Sequence, residues 1–261
     1  MSEKPRAQTK ISTYSNDAIY VRDKNLVEDL IGKLTFTEMC FFHIMQRMPS
    51  KAEAAVLDAA LVTLMEHGLT PSAIATRMVY ISSPESMQSA VAAGLLAVGS
   101  VFVGTMEGCA QLLDEMVHAE DGVEAAAQRL VAKARAERKP IPGFGHHLHK
   151  PDDPRSAKLL DFAESQGVPG RHIAAIRTLS TVIDREYGKH ITINATGAIA
   201  AILSEIGVPW NVMRGFAVVS RSAGLVGHIR EEAEYPAARQ IWDMAEHEIP
   251  YTGEVQVKHK P

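Results

Sequence analysis

Between Pro142 and Arg155 the chain reads Pro-Gly-Phe-Gly-His-His-Leu-His-Lys-Pro-Asp-Asp-Pro-Arg, which puts a flexible turn, imidazoles and a guanidinium in one short span. Gly143 and Gly145 accept a positive φ and let backbone approach a ligand closely, leaving His146 at the tip of a tight turn. Asp153 then reads as a helix N-cap, Pro154 as the first helical residue and Arg155 as a first-turn side chain. A carboxylate bound there would meet the arginine fork and unpaired backbone N–H groups together. The plainer reading of the turn is a Gly/Pro loop with solvated histidines. His146, His147 and His149 also raise a metal site, but neither a His-Glu-x-x-His helix nor a Cys pair supports one, so no metal is expected.

The elements around this span read as helix after helix. Ser50-Lys-Ala-Glu53 is a capping box opening a run through Met65, and Gly68 is a plausible stop. Thr70-Pro71 and Ser83-Pro84 each look like an N-cap followed by proline at the first helical position. Gly94 and Gly99 interrupt an apolar stretch where either would allow close helix contact. An Ala-rich segment from about Val123 to Arg138 ends at Pro140, and helical patterns follow at about 154–166, 169–187, 195–206, 211–229 and 236–246. No alternating β-branched segment is long enough for a convincing strand, and no internal repeat is present. The expected fold class is all-α, with residues 1–24 a polar arm that orders only against a partner.

Composition narrows the function classes. The chain has 261 residues, 46% of them hydrophobic and 22% charged, the profile of a soluble globular protein with a substantial core. A formal net charge of −4 argues against nucleic acid or an anionic membrane as the main partner. Only Cys40 and Cys109 are present, both in apolar surroundings, so a disulfide framework is not expected and a reducing cytoplasm fits best. Neither a signal peptide nor an apolar run able to span a bilayer is read.

The turn followed by Asp-Pro-Arg resembles the citrate synthase superfamily, and further segments extend the resemblance in order along the chain. Leu34-Thr-Phe-Thr-Glu-Met-Cys40 with Arg47-Met-Pro-Ser50 is similar to the family's early helix and turn. Glu66-His67-Gly68 with Thr70-Pro71-Ser-Ala73, then Gly94-Leu-Leu-Ala-Val-Gly99, resembles the citryl-CoA lyase branch in particular. Ile193-Asn-Ala-Thr-Gly-Ala198 and Ser220-Arg-Ser-Ala-Gly-Leu-Val-Gly-His228 resemble that branch's Asn-Val-Asp-Gly segment and Arg-Ser-x-Gly helix.

The resemblance implies a citrate synthase-like all-α fold with a large helical domain, roughly 1–100 and 212–261, a small one, roughly 101–211, and the ligand cleft between them. It implies His67, His146 and the residue at Thr196 as catalytic, Arg155, Arg221 and Asn194 as substrate-binding, and Phe144, Gly145 and Lys150 along coenzyme A. Other readings stay open: His67 as a helix-end cap, Arg221 as half of a buried ion pair, Lys150 as solvent-facing. By the same resemblance the protein is a homodimer, with the apolar, Gly-containing segments of 83–116 suited to the interface.

Two departures matter. The position of the second catalytic histidine of full-length citrate synthases falls on Phe102, and citryl-CoA lyases also lack that histidine, so by the resemblance Phe102 points towards the lyase branch. The catalytic aspartate of Asn-Val-Asp-Gly falls on Thr196, whose hydroxyl is no carboxylate base. The expectation is therefore cleavage of citryl-CoA, or a related 3-hydroxyacyl-CoA, to acetyl-CoA and oxaloacetate or another 2-oxo acid. Condensation in the citrate synthase direction, and a catalytically silent binder of CoA and carboxylates, are the alternatives. Glu38, Glu66, Glu107 and Asp184 are the carboxyls available to replace the aspartate.

Overall fold

The computed structural model describes residues 7–253. Its helices are α1 Phe36–Met45, α2 Lys51–Met65, α3 Pro71–Ser82, α4 Met87–Leu96, α5 Thr105–Val117, α6 Val123–Ala136, α7 Pro154–Ser165, α8 Arg171–Tyr187, α9 Ala195–Glu205, α10 Met213–Glu234 and α11 Ala238–Glu248. Two compact units result. One holds the residues up to Thr63 together with Val103–Phe216, the other Leu64–Phe102 with the chain from Ala217. The expected boundaries at 101 and 211 lie a few residues from 103 and 216, but residues up to 63 fall in the same unit as 103–216.

In the first unit the N-terminal segment is not an unstructured arm. Ser12–Tyr14 (β1), Ile19–Val21 (β2) and Lys24–Asn25 (β3) form a small antiparallel sheet in the order β1-β2-β3, with Thr13 opposite Tyr20 and Val21 opposite Lys24. Strands of two or three residues are too short to show alternation, so the pattern passes for polar coil. The Arg22 guanidinium donates to the carbonyl of His43 at 2.7 Å, tying the sheet to α1. Residues 1–6 and 254–261, which the expected arm and large domain include, lie outside the described residues.

α9 is the centre of this unit. Its Ala198–Leu203 run is apolar on every face and fully buried, packed against α5, α7 and α8. Glu205 at its end is also buried, because its carboxylate accepts the Gly170 and Ile173 N–H groups at 3.0 and 2.9 Å and so caps α8. Burial alone would raise that carboxyl's pKa, but His172 and the amides outweigh it and hold it below the usual range.

In the second unit α3 packs on α4 and α11. Gly94 makes the first contact possible: a Cβ there would sit 2.0 Å from Thr76 Oγ1 and 2.7 Å from the Ser72 carbonyl. Gly99, the other glycine of the stretch, meets nothing within 4 Å. In the first unit the Ser50/Glu53 box forms as read, each side chain on the other's amide at 2.7 and 3.2 Å. Ser83-Pro84 does not start a helix. Ser83 ends α3, its N–H on the Val79 carbonyl, and α4 begins after Ser86. No helix among the described residues is long and apolar enough to cross a membrane.

Candidate functional site

In the first unit the glycine turn is stitched to the start of α9. Phe144 pairs with Ile193 as an isolated β-bridge, the Gly145 N–H donates to the Thr192 carbonyl at 2.8 Å, and the Asn194 N–H donates to the Gly143 carbonyl at 3.0 Å. Gly143 and Gly145 take φ of 86° and 81°. Gly143 is also sterically required, since a Cβ there would lie 2.6 Å from Cys109 Sγ. Burial pushes the Cys109 thiol up to about 12, so it is an inert packing group.

His146 turns back on its own loop. Its Nδ1 accepts the Leu148 and His149 N–H groups at 3.1 and 3.0 Å, which assigns the proton of the neutral ring to Nε2. The ring stacks on His149 and His147, at 4.4 and 4.8 Å between centroids. Desolvation, then the neighbouring His149, lowers its pKa. At neutral pH His146 is therefore a neutral N–H donor, suited to an oxygen that gains negative charge.

Asp153 is the hub beside it. It is buried, caps α7 through the Arg155 N–H, accepts the Arg155 fork at 2.9 and 2.7 Å, and takes the Ala195 N–H of α9 at 3.1 Å. Burial would favour its protonation, but Arg155 and the amides hold the carboxyl below the usual aspartate range. Arg155 thus spends Nε and Nη2 on Asp153.

Asn194 is the N-cap of α9. Its Oδ1 accepts the Gly197 N–H at 3.1 Å and the Thr196 hydroxyl at 2.7 Å, while its amide donates to the Gly145 carbonyl at 2.9 Å. With the Thr196 proton directed to Asn194, the Thr105 hydroxyl at 2.9 Å is the donor to Thr196 Oγ1. Thr105, three residues after Phe102, is a site neighbour that carries no motif of its own in the sequence. A cavity of about 500 Å³ opens beside the turn, with Phe144, Ile191 and Tyr187 as apolar wall and Arg135, Arg138 and Lys139 as basic rim. Gly145 and Lys150 do not line it, and Lys150 is exposed.

The second unit carries His67 and Arg221. α2 ends at Met65, and the Glu66 carboxylate accepts the His67 and Gly68 N–H groups at 2.7 and 2.6 Å. Gly224 of α10 has no room for a Cβ, which would lie 2.1 Å from the Met65 carbonyl. One turn earlier, Arg221 Nη1 is buried without a hydrogen-bond partner among the described residues. Desolvation lowers the pKa of this guanidinium, and the Glu66 charge opposes that only in part. A buried charged donor without a partner is costly, and an anion beside it would offset that cost.

The four carboxyls available to replace the aspartate each have a local partner. Glu38 closes the capping box of α1 with Thr35, Glu107 pairs with Arg214, Asp184 accepts from His190 at 2.6 Å, and Glu66 holds the His67 turn.

The chain matches the family model "Citrate synthase, C-terminal domain" over residues 5–242. It belongs to the citrate synthase family. The structure superposes on citryl-CoA lyase from Hydrogenobacter thermophilus with a TM-score of 0.85 and 33% identity, covering 97% of each chain, which supports the citryl-CoA lyase branch read from the motifs. The citrate synthase of Thermoplasma acidophilum, solved with carboxymethyl coenzyme A and oxaloacetate bound, shares the fold at a TM-score of 0.67 and 22% identity over 87% of this chain and 59% of that one. Among curated relatives, putative citrate synthase 2 of Mycobacterium tuberculosis is 29% identical over 196 residues, 72% of this chain. The chain spans about half the length of that relative, 50%.

Proposed function

We propose that the protein cleaves citryl-CoA, or a related 3-hydroxyacyl-CoA, to acetyl-CoA and a 2-oxo acid. The observation that carries this reading is Arg221, a desolvated guanidinium with an unmet donor in the Arg-Ser-Ala-Gly segment of a family that handles carboxylates. Arg221 holds a substrate carboxylate, and Arg155 contributes the edge of its fork that Asp153 leaves over. The hydroxyl proton passes to bound water as the carbon–carbon bond breaks, the bond's electron pair passes into the thioester to form an enolate, and water returns a proton to the enolate carbon, so that no net proton is gained or lost. His146 donates its Nε2 hydrogen to an oxygen that gains charge, and His67 serves another. Asn194 and Thr196 position a water for the protonation that an aspartate would otherwise perform. The CoA nucleotide lies against Phe144 in the basic-rimmed cavity, where Arg138 and Lys139 meet its phosphates, while Gly145 shapes the turn beside it and the exposed Lys150 stands outside the cavity. No metal enters this scheme, and the working form is a cytoplasmic homodimer.

Thr196 favours a second reading, a binder of CoA and carboxylates without turnover. Calorimetry with CoA and with citrate, followed by mass spectrometry of citryl-CoA incubated with the protein, separates the two. Acetyl-CoA release supports the lyase. Binding without release selects the silent binder, and neither binding nor release refutes both. Incubation with acetyl-CoA and oxaloacetate tests the condensation direction in the same assay.

A further inference from the structure

Arg77, on α3, is 1% exposed. Its Nη1 donates to Glu232 at 2.7 Å and it also pairs with Glu231. Its Nε and Nη2 lie 3.1 and 2.9 Å from Nδ1 of His228, on α10 and 9% exposed. An arginine has donors only and keeps its charge. Nδ1 of His228 must therefore be the acceptor, because a proton there would face the guanidinium hydrogens. The ring is then neutral with its hydrogen on Nε2, which lies 3.0 Å from Oε2 of Glu66, an electrostatic contact without hydrogen-bond geometry. Oε1 of Glu66 takes the His67 and Gly68 amides just past the last turn of α2. A polar line thus runs from Glu232 through Arg77 and His228 to Glu66 and the backbone of His67, all within one unit. Arg221, two turns before His228 on α10, adds its charge to the same carboxylate.

We propose that His228 is a positioning residue for His67: with its tautomer set by Arg77, it orients the Glu66 carboxylate, which in turn fixes the turn that aims the His67 ring. The consequence for turnover rests on the role given to His67 above, whereas the structural link does not. A merely stabilising ion network would leave His67 where it is when His228 is replaced.

The test is nitrogen-15 histidine NMR on the full chain, with kinetics on His228→Ala and His228→Gln. The His228 nitrogen-15 shifts should report Nδ1 as the acceptor and the ring hydrogen on Nε2. In His228→Ala the His67 ring signals should shift, and kcat should fall about 10- to 100-fold while KM for the acyl-CoA changes little, since misplacement by about 1 Å costs on the order of 10². His228→Gln should restore most of both, because its carbonyl accepts from Arg77 and its amide donates to Glu66. A His228 whose ring hydrogen sits on Nδ1 overturns the proposal. So do His67 signals unmoved in folded His228→Ala, or in His228→Gln as unlike the parent as the alanine variant. Should the alanine variant not fold, the parent's His228 tautomer and the glutamine variant decide. If His67→Ala turns over like the parent while the NMR link holds, the role of His67 in the reaction is what fails.

Discussion

Arg221→Met should make the protein more stable and worse at binding carboxylates. The substitution keeps an unbranched apolar stem of similar reach and deletes the guanidinium, whose Nη1 is buried without a partner among the described residues. An unsatisfied buried donor costs about 1–3 kcal/mol. Against that gain stands the loss of a positive neighbour by Glu66, which is small because that carboxylate is 47% exposed. The net expectation is a gain of about 1–2 kcal/mol, or a rise in Tm of about 2–8 °C for a chain of this size. Citrate affinity should fall by about 2–5 kcal/mol, the usual cost of removing one partner of a desolvated charged pair. That is about 30- to 4,000-fold in Kd. Melting curves with and without citrate, and calorimetry, read both quantities on the same samples. Citrate should raise the parent's Tm and leave the variant's unchanged. Arg221→Lys should recover only part of the affinity, lacking the planar fork. A variant that melts below the parent without ligand and still binds citrate normally would refute the assignment of Arg221 as a vacant anion ligand.

Four further outcomes are expected. Thr196→Asp should raise exchange of acetyl-CoA methyl protons with solvent by about 10²–10⁴-fold, and His146→Ala in that background should remove most of the gain; deuterium incorporation read by mass spectrometry checks it, and no increase from a folded, CoA-binding variant places the base elsewhere. Asp153 has a depressed folded pKa, so its contribution is present at neutral pH and is lost as pH falls through that value; Asp153→Asn should be less stable at pH 7 and lack this part of the acid dependence, and parallel urea stability profiles between about pH 7 and 3 would contradict it. Gly94→Ala should cost about 1–3 kcal/mol in urea unfolding, because the Ser72 carbonyl at 2.7 Å from the new Cβ is backbone and cannot swing away. The double substitution Arg138→Ala, Lys139→Ala should weaken CoA binding and flatten its salt dependence, and calorimetry showing an unchanged slope against ionic strength would remove the nucleotide from that cavity.

Helix starts such as Ser50/Glu53 and Asp153-Pro154 were legible in the sequence because a cap is an interaction between residues one to three positions apart. The buried character of α9 was legible too, since Ala-Ile-Ala-Ala-Ile-Leu offers water no polar face. The family was readable for a similar reason: its glycines, histidines and arginines stand in short runs whose order survives without coordinates. Ser83-Pro84 misled because a serine before proline suits either end of a helix, and closing the last turn of α3 on Val79 was the interaction that formed. Only the tertiary structure decided which groups meet. Thr105 and Thr196 are 91 residues apart, and Arg77 and Glu232 155 apart, so no local pattern could join them. The state of each site residue followed from such meetings. Arg155 is occupied by Asp153, His146 is a neutral donor because its own loop takes Nδ1, and Arg221 is left wanting a partner, since hydrogen bonding and desolvation are set by what surrounds a side chain and not by its place in the sequence.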